Sequence, residues 1–174
     1  LDIERNRIEA EILRLQNELA PQFVPQVYYY DQKMYALTME DVSAYQNMRY
    51  ELIEKHIFPA FSEEIAEYLA RTLLLTSDLV LARDVKKQRV KAFINPEMCD
   101  ISEDLVFTEP YNDYKKRNIV TAGNERFVTE YLYENEPLQV EVALLRNNFM
   151  NNAQALLHGD LHTGSIFINQ TGLK

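Results

Sequence analysis

Apolar residues recur at helical spacing from the start of the chain. Ile8, Ile12, Leu15 and Leu19 stand four, three and four positions apart, with Glu, Arg and Asn between them. That spacing lays one apolar stripe along a helix over residues 3–19, which Pro21 and Pro25 close. The period then shortens. "QVYYYD" and "KMYALTME" are β-rich runs around Asp31-Gln32-Lys33, and they predict a hairpin. After Glu40 the strand signal stops.

From Asn47 to Gln154 the pattern is mainly helical. Ile65, Leu69 and Leu73 share one apolar face, and Leu138, Val142, Leu145 and Phe149 share another. Residues 84–93 predict a shorter, basic helix. "FINPEMCDISEDLVFTEPYNDYKK" predicts one helix between irregular connections, since Pro96 and Pro110 punctuate it. Thr121–Gly123 is a turn or a cap for a helix through Arg126–Tyr133.

The last segment differs in character. Three of the chain's four glycines, Gly159, Gly164 and Gly172, fall in its final sixteen residues. "IFIN" followed by "QTG" predicts a strand and a turn, with Leu173-Lys174 beginning a return strand. Strands grouped apart from helices predict an α+β fold rather than a doubly wound sheet. The natural division follows "MEDVS".

Composition narrows the classes. The chain has 174 residues, 47% of them hydrophobic, which is enough for a core without disulfide staples. A formal charge of −9 argues against a general nucleic-acid binder, which needs a basic face. It leaves room for one small anionic ligand, because local geometry governs that. The single cysteine, Cys99, excludes an internal disulfide and a cysteine-rich zinc site, and fits a reducing, cytoplasmic setting. No run is apolar enough to suggest a membrane span and no signal peptide is evident at the start. The chain opens Leu-Asp-Ile and closes Gly-Leu-Lys as a strand resumes, so it is expected to be an internal piece of a longer protein.

The densest chemistry lies in "HGDLHTGSIFIN", residues 158–169. Three readings compete. His158, Asp160 and His162 at alternate positions could chelate a divalent ion from one side of a strand, although His56 is the only other histidine. They could instead form a polar turn, with His158 bonded to backbone and Asp160 capping the next turn. The third reading is phosphoryl transfer. That chemistry needs an aspartate beside the acceptor hydroxyl and, a few residues on, a ligand that holds Mg²⁺ against nucleotide phosphates. Asp160 and Ser165, five positions apart, have that spacing.

"LLHGDLHTGSIFIN" resembles the catalytic loop of the aminoglycoside-phosphotransferase-like and choline-kinase-like superfamily, His-Gly-Asp-Leu-His-x-Gly-Asn. Ser165 in place of the usual Asn is similar to the 5-methylthioribose kinase family. "VPQVYYYDQKMYALTMEDVS", "ARTLLLTSDL" and "NPEMCDISEDLVFTEPY" resemble successive blocks of that family, so the similarity spans essentially the whole chain.

The resemblance implies a protein-kinase-like fold. Residues 1–42 would be part of the N-terminal lobe (helix plus hairpin) with the inter-lobe linker, and residues 43–174 a mainly helical part of the C-terminal lobe carrying the catalytic loop. It implies transfer of the ATP γ-phosphate to O1 of 5-methylthioribose in methionine salvage, with ATP and Mg²⁺ as cofactors. Asp160 would be the catalytic, substrate-contacting aspartate, and Ser165 would sit on the metal side. His158 and His162 would support the loop. In the linker, Glu40 and Val42 would hold adenine by backbone groups and Asp41 would face the ribose. Glu9, or alternatively Glu11, would be the helix glutamate that pairs with the nucleotide-binding lysine. The family's Gly-rich loop and lysine would precede Leu1, while its Asp-x-Glu metal segment and substrate arginines would come after Lys174. The chain alone is then expected to be inactive, and the whole protein homodimeric, with no nucleic-acid or membrane partner. A kinase of another small alcohol (an aminoglycoside, choline or homoserine) and a non-catalytic kinase-like module remain as alternatives.

Overall fold

The computed structural model describes residues 4–174, and these fold into two compact units. One contains the described residues through Ile94 together with Gln154–Lys174, and the other is Asn95–Ala153. Helices dominate, with two small antiparallel sheets beside them.

In the first unit, α1 spans Glu4–Leu19 and ends before Pro21, as its apolar spacing predicts. The expected start at Ile3 lies outside the described residues. Ile8 and Leu15 of the stripe are buried, together with Ala10 and Gln16. The hairpin pairs β1 (Val27–Asp31) with β2 (Ala36–Met39), and the Asp31 carboxylate accepts from the Lys33 and Met34 amides to shape the turn. The turn is longer than Asp31-Gln32-Lys33: it continues to Tyr35, whose φ is 50°.

A two-residue strand, β3 (Gln46–Asn47), leads into α2 (Met48–Ile53). The third helix, α3 (Phe61–Leu69), continues as a π-helical turn over Ala70–Leu74. The basic helix α4 covers Arg83–Phe93. At the chain's end β4 (Phe167–Asn169) pairs with both β3 and β5 (Gly172–Leu173), giving the order β3-β4-β5. β3 is too short for a periodic signal, so the sequence pattern gives no sign of this third strand.

The core of this unit joins Ala20, Phe23, Val24, Met48, Tyr68, Ile166, Ile168 and Leu173, with Ile65 and Leu69 packed against it. Phe23 meets Tyr68 edge to face, with centroids 6.3 Å apart. The buried Tyr68 hydroxyl accepts from Gln16 Nε2 at 3.2 Å, so the polar end of the ring is satisfied. Desolvation pushes the Tyr68 phenol above its ordinary pKa.

The second unit contains α5 (Pro96–Phe107), α6 (Glu125–Val128) extended by a π-helical turn Thr129–Tyr133, and α7 (Glu136–Asn151). Asn95 and Asn135 cap α5 and α7 by accepting from the Met98 and Leu138 amides, and each cap precedes a proline in the first turn. Side-chain caps followed by early prolines are helix starts that a sequence can display. Phe107 of α5 and Phe149 of α7 are 5.4 Å apart. Of the expected apolar face of α7, Val142 is buried but Leu145 is 57% exposed, so the stripe is narrower than its spacing suggests.

Candidate active site

Residues 154–166 approach β4 as an irregular loop of the first unit rather than as a strand. His158, Asp160 and His162 therefore do not project from one side of a strand. Among the described residues there is no group of three His, Cys, Asp or Glu side chains able to hold a metal. The three side chains therefore do not form the His-Asp-His chelate.

The loop is held by its own polar groups. The Asp160 amide donates to His158 Nδ1 at 3.2 Å, and the Gly164 amide donates to His162 Nδ1 at 2.9 Å. Accepting at Nδ1 assigns the proton of each neutral ring to Nε2. On His162 that edge lies 3.5 Å from Asp160 Oδ1. Desolvation pushes the His158 imidazole below its ordinary pKa; the Asp160 charge opposes this and His162 adds to it. A neutral ring is what the acceptor role requires. The Ser165 hydroxyl donates to the Asp160 carbonyl at 2.8 Å, and the Ser165 amide donates to the His162 carbonyl at 2.8 Å.

Two glycines make this path possible. Gly159 has φ +84°, a left-handed conformation that strains any other residue. At Gly164 a Cβ would stand 2.6 Å from His162 Cε1, so a larger residue there would push the imidazole off the Gly164 amide. The Asp160 side chain is left 68% exposed, and no lysine or arginine pairs with it among the described residues.

The loop is also tied to the rest of its unit. The Met48 and Arg49 amides donate to the Ile166 and Thr163 carbonyls at 2.9 and 3.1 Å. Asn47 Nδ2 donates to the Gly164 carbonyl at 2.7 Å, while Asn47 Oδ1 accepts from the Arg49 amide as the cap of α2. Upstream, the buried Thr76 hydroxyl donates to the Thr72 carbonyl and accepts from the Leu156 amide at 2.9 Å. Sequence reasoning missed Asn47 and Thr76. An Asn before an apolar helical run is a legible cap, but its second bond spans 117 residues and leaves no local trace.

The linker residues lie in the same unit. Glu40 and Val42 are half-buried, whereas Asp41 is exposed. The Glu40 amide donates to the Gln26 carbonyl at 2.8 Å, and its carboxylate accepts from Lys174 Nζ at 2.9 Å and from the Gln26 amide at 3.1 Å. Lys174 first, and the Gln26 amide second, hold the Glu40 carboxyl below its ordinary range. Asp41 accepts from the amide and hydroxyl of Ser43, and these bonds, the amide foremost, lower its pKa as well. Among the described residues, the Glu40 carbonyl and the Val42 amide have no hydrogen-bond partner.

Glu9 is exposed on α1, although it adjoins Ile8 and Ile12. Consecutive helix positions diverge by about 100°, so sequence proximity to the stripe does not bury the carboxylate. Glu11, the alternative, is half-buried and pairs with Arg7 at 2.9 Å.

No protein-family model matches the chain. Individual relatives do, and they are kinases. Across all 174 residues the chain is 41% identical to a protein of Geobacillus kaustophilus, 40% to one of an Enterobacter species, and 38% to one of Yersinia pseudotuberculosis. Each of these relatives is a methylthioribose kinase, and the chain is related to that group along its whole length. It spans 42–43% of the length of these relatives.

Proposed function

We propose that the chain is the part of a 5-methylthioribose kinase that bears the inter-lobe linker and the catalytic loop, in a protein of protein-kinase-like fold. Residues 1–42 then belong to the N-terminal lobe and linker, and residues 43–174 to the helical lobe. The whole protein transfers the ATP γ-phosphate to O1 of 5-methylthioribose, a step of methionine salvage. It works in the cytoplasm as a homodimer and uses no nucleic-acid partner.

The observation that carries this reading is the loop at 158–165, which leaves one exposed carboxylate, Asp160, on a tightly braced backbone. Phosphoryl transfer asks the protein chiefly for positioning and charge neutralisation. In that role Asp160 orients the O1 hydroxyl and accepts its proton as O1 bonds to the γ-phosphorus and the γ-phosphorus–oxygen bond to departing ADP breaks. His158 and His162 brace the loop, and His162 Nε2–H also faces the Asp160 carboxylate. The Glu40 carbonyl and Val42 amide hold adenine, and Asp41 faces the ribose once its bonds to Ser43 are exchanged. Glu9, or Glu11, serves the lysine that contacts the nucleotide phosphates. Mg²⁺ supplies charge neutralisation at those phosphates. The described residues do not form its site among themselves, and Ser165 offers at most a hydroxyl lone pair or a shared water.

A substrate panel tests the reading. ATP consumption by the complete protein is measured with 5-methylthioribose, an aminoglycoside, choline and homoserine. Turnover with 5-methylthioribose well above the others is expected. Turnover with another alcohol instead assigns a sister kinase, and none with any of them assigns a kinase-like module.

A further inference from the structure

We infer that Asn47 is a positioning residue for Asp160, acting through Gly164 and Ser165; this rests on the kinase reading above. Its amide makes two bonds with different purposes. Oδ1 accepts from the Arg49 amide at 3.1 Å and caps α2, a task that aspartate or serine performs equally well. Nδ2 donates to the Gly164 carbonyl at 2.7 Å, which aspartate cannot do and serine is too short to do. The choice of asparagine is therefore explained by the loop and not by the helix.

The bond falls where the loop needs it. The backbone of Met48 and Arg49 holds Ile166 and Thr163, and the Asn47 side chain holds Gly164 between them. The next residue, Ser165, then carries the constraint to the Asp160 carbonyl through its hydroxyl at 2.8 Å. Asp160 comes directly after Gly159 and its own side chain is 68% exposed, so packing does little to fix it. The route from β3 through Gly164 and Ser165 supplies part of that fixity.

In the complete protein, N47D keeps the cap and removes the donor. The expected result is a kcat lower by on the order of 10- to 100-fold, with the thermal midpoint and the KM for ATP essentially unchanged. N47A loses both bonds, so its thermal midpoint falls as well. Should the new carboxylate prevent folding, N47S takes its place with the same expected split. When N47D is combined with S165A, the loss stays close to that of the worse single variant, because both cut one chain of contacts. A wild-type kcat in the capping variant, or losses that multiply in the double variant, would overturn the inference. Failure of the kinase reading itself shows separately, as a wild-type protein that consumes no ATP with any alcohol of the panel.

Discussion

The unit that carries Asp160 buries a continuous apolar cluster, from Ala20 and Phe23 through Met48 and Tyr68 to Ile166, Ile168 and Leu173. The unit of residues 95–153 buries only Val142 and Glu109 to a similar degree. It relies instead on capped helices and a polar knot. Glu109 binds Arg117 and Lys115, Asp104 binds Lys115 and the Tyr114 hydroxyl, and Asn118 Nδ2 donates to the Glu109 carbonyl at 2.6 Å. Apolar packing is non-directional and indifferent to pH, whereas a knot of carboxylates and cations is directional and titratable. The loop that carries Asp160 stands in the unit with the apolar core.

The largest effect should come from opening that core. Ile168 is 1% exposed, and Ile168→Ala should destabilise the first unit by about 2–5 kcal/mol in denaturant unfolding. Leu145→Ala, at a position 57% exposed in the second unit, should cost less than about 0.5 kcal/mol. Equal costs at the two sites would erase the contrast.

A smaller effect is expected in the knot. Glu109→Gln should loosen residues 108–118 at a cost of about 1–2 kcal/mol, since its cationic partners remain half-exposed to water. Hydrogen exchange should show faster exchange in the second unit and none of it at Ile166 or Ile168.

The pH response should be smaller again and strongest in the second unit. Lys115 foremost, with the Tyr114 hydroxyl, lowers Asp104 from 3.8 to about 2, and Asp104 and Glu109 in turn raise Lys115. A carboxyl whose folded pKa is depressed contributes stability that is complete above its unfolded pKa. That contribution disappears as pH falls from about 4 towards 2. Asp31, Glu40 and Asp41 of the first unit are also held down and cost that unit some stability over the same acidic range, but the depression to about 2 is at Asp104. Amides at 104–118 should therefore lose protection before those of β4 on acidification, and simultaneous loss would contradict the contrast.

Much of the architecture was legible because it is written in local signals. Helical spacing located α1, α4 and α7, and "IFIN" with "QTG" marked the last hairpin. The Asn95 and Asn135 caps were not read, although their Asn-Pro and Asn-x-Pro signals are local. What was not legible depends on distance along the chain. β3 exists because Gln46 and Asn47 find Ile168 and Phe167, and the Glu40–Lys174 pair joins residues 134 positions apart. Glu9 lies exposed although it adjoins Ile8 and Ile12, because consecutive helix positions face different ways. At the candidate site, the glycine-bracketed loop and its two histidines could be picked out from spacing. That Ser165 faces the Asp160 carbonyl, and that Asn47 reaches Gly164, required the fold.

Replacing Asp160 by Asn in the complete protein tests the central claim most directly, because it removes the proposed proton acceptor and changes almost nothing in shape. ATP binding should persist in titration calorimetry, and turnover of 5-methylthioribose should fall by on the order of 100-fold or more. A turnover number near that of the unaltered protein would contradict the assignment of Asp160.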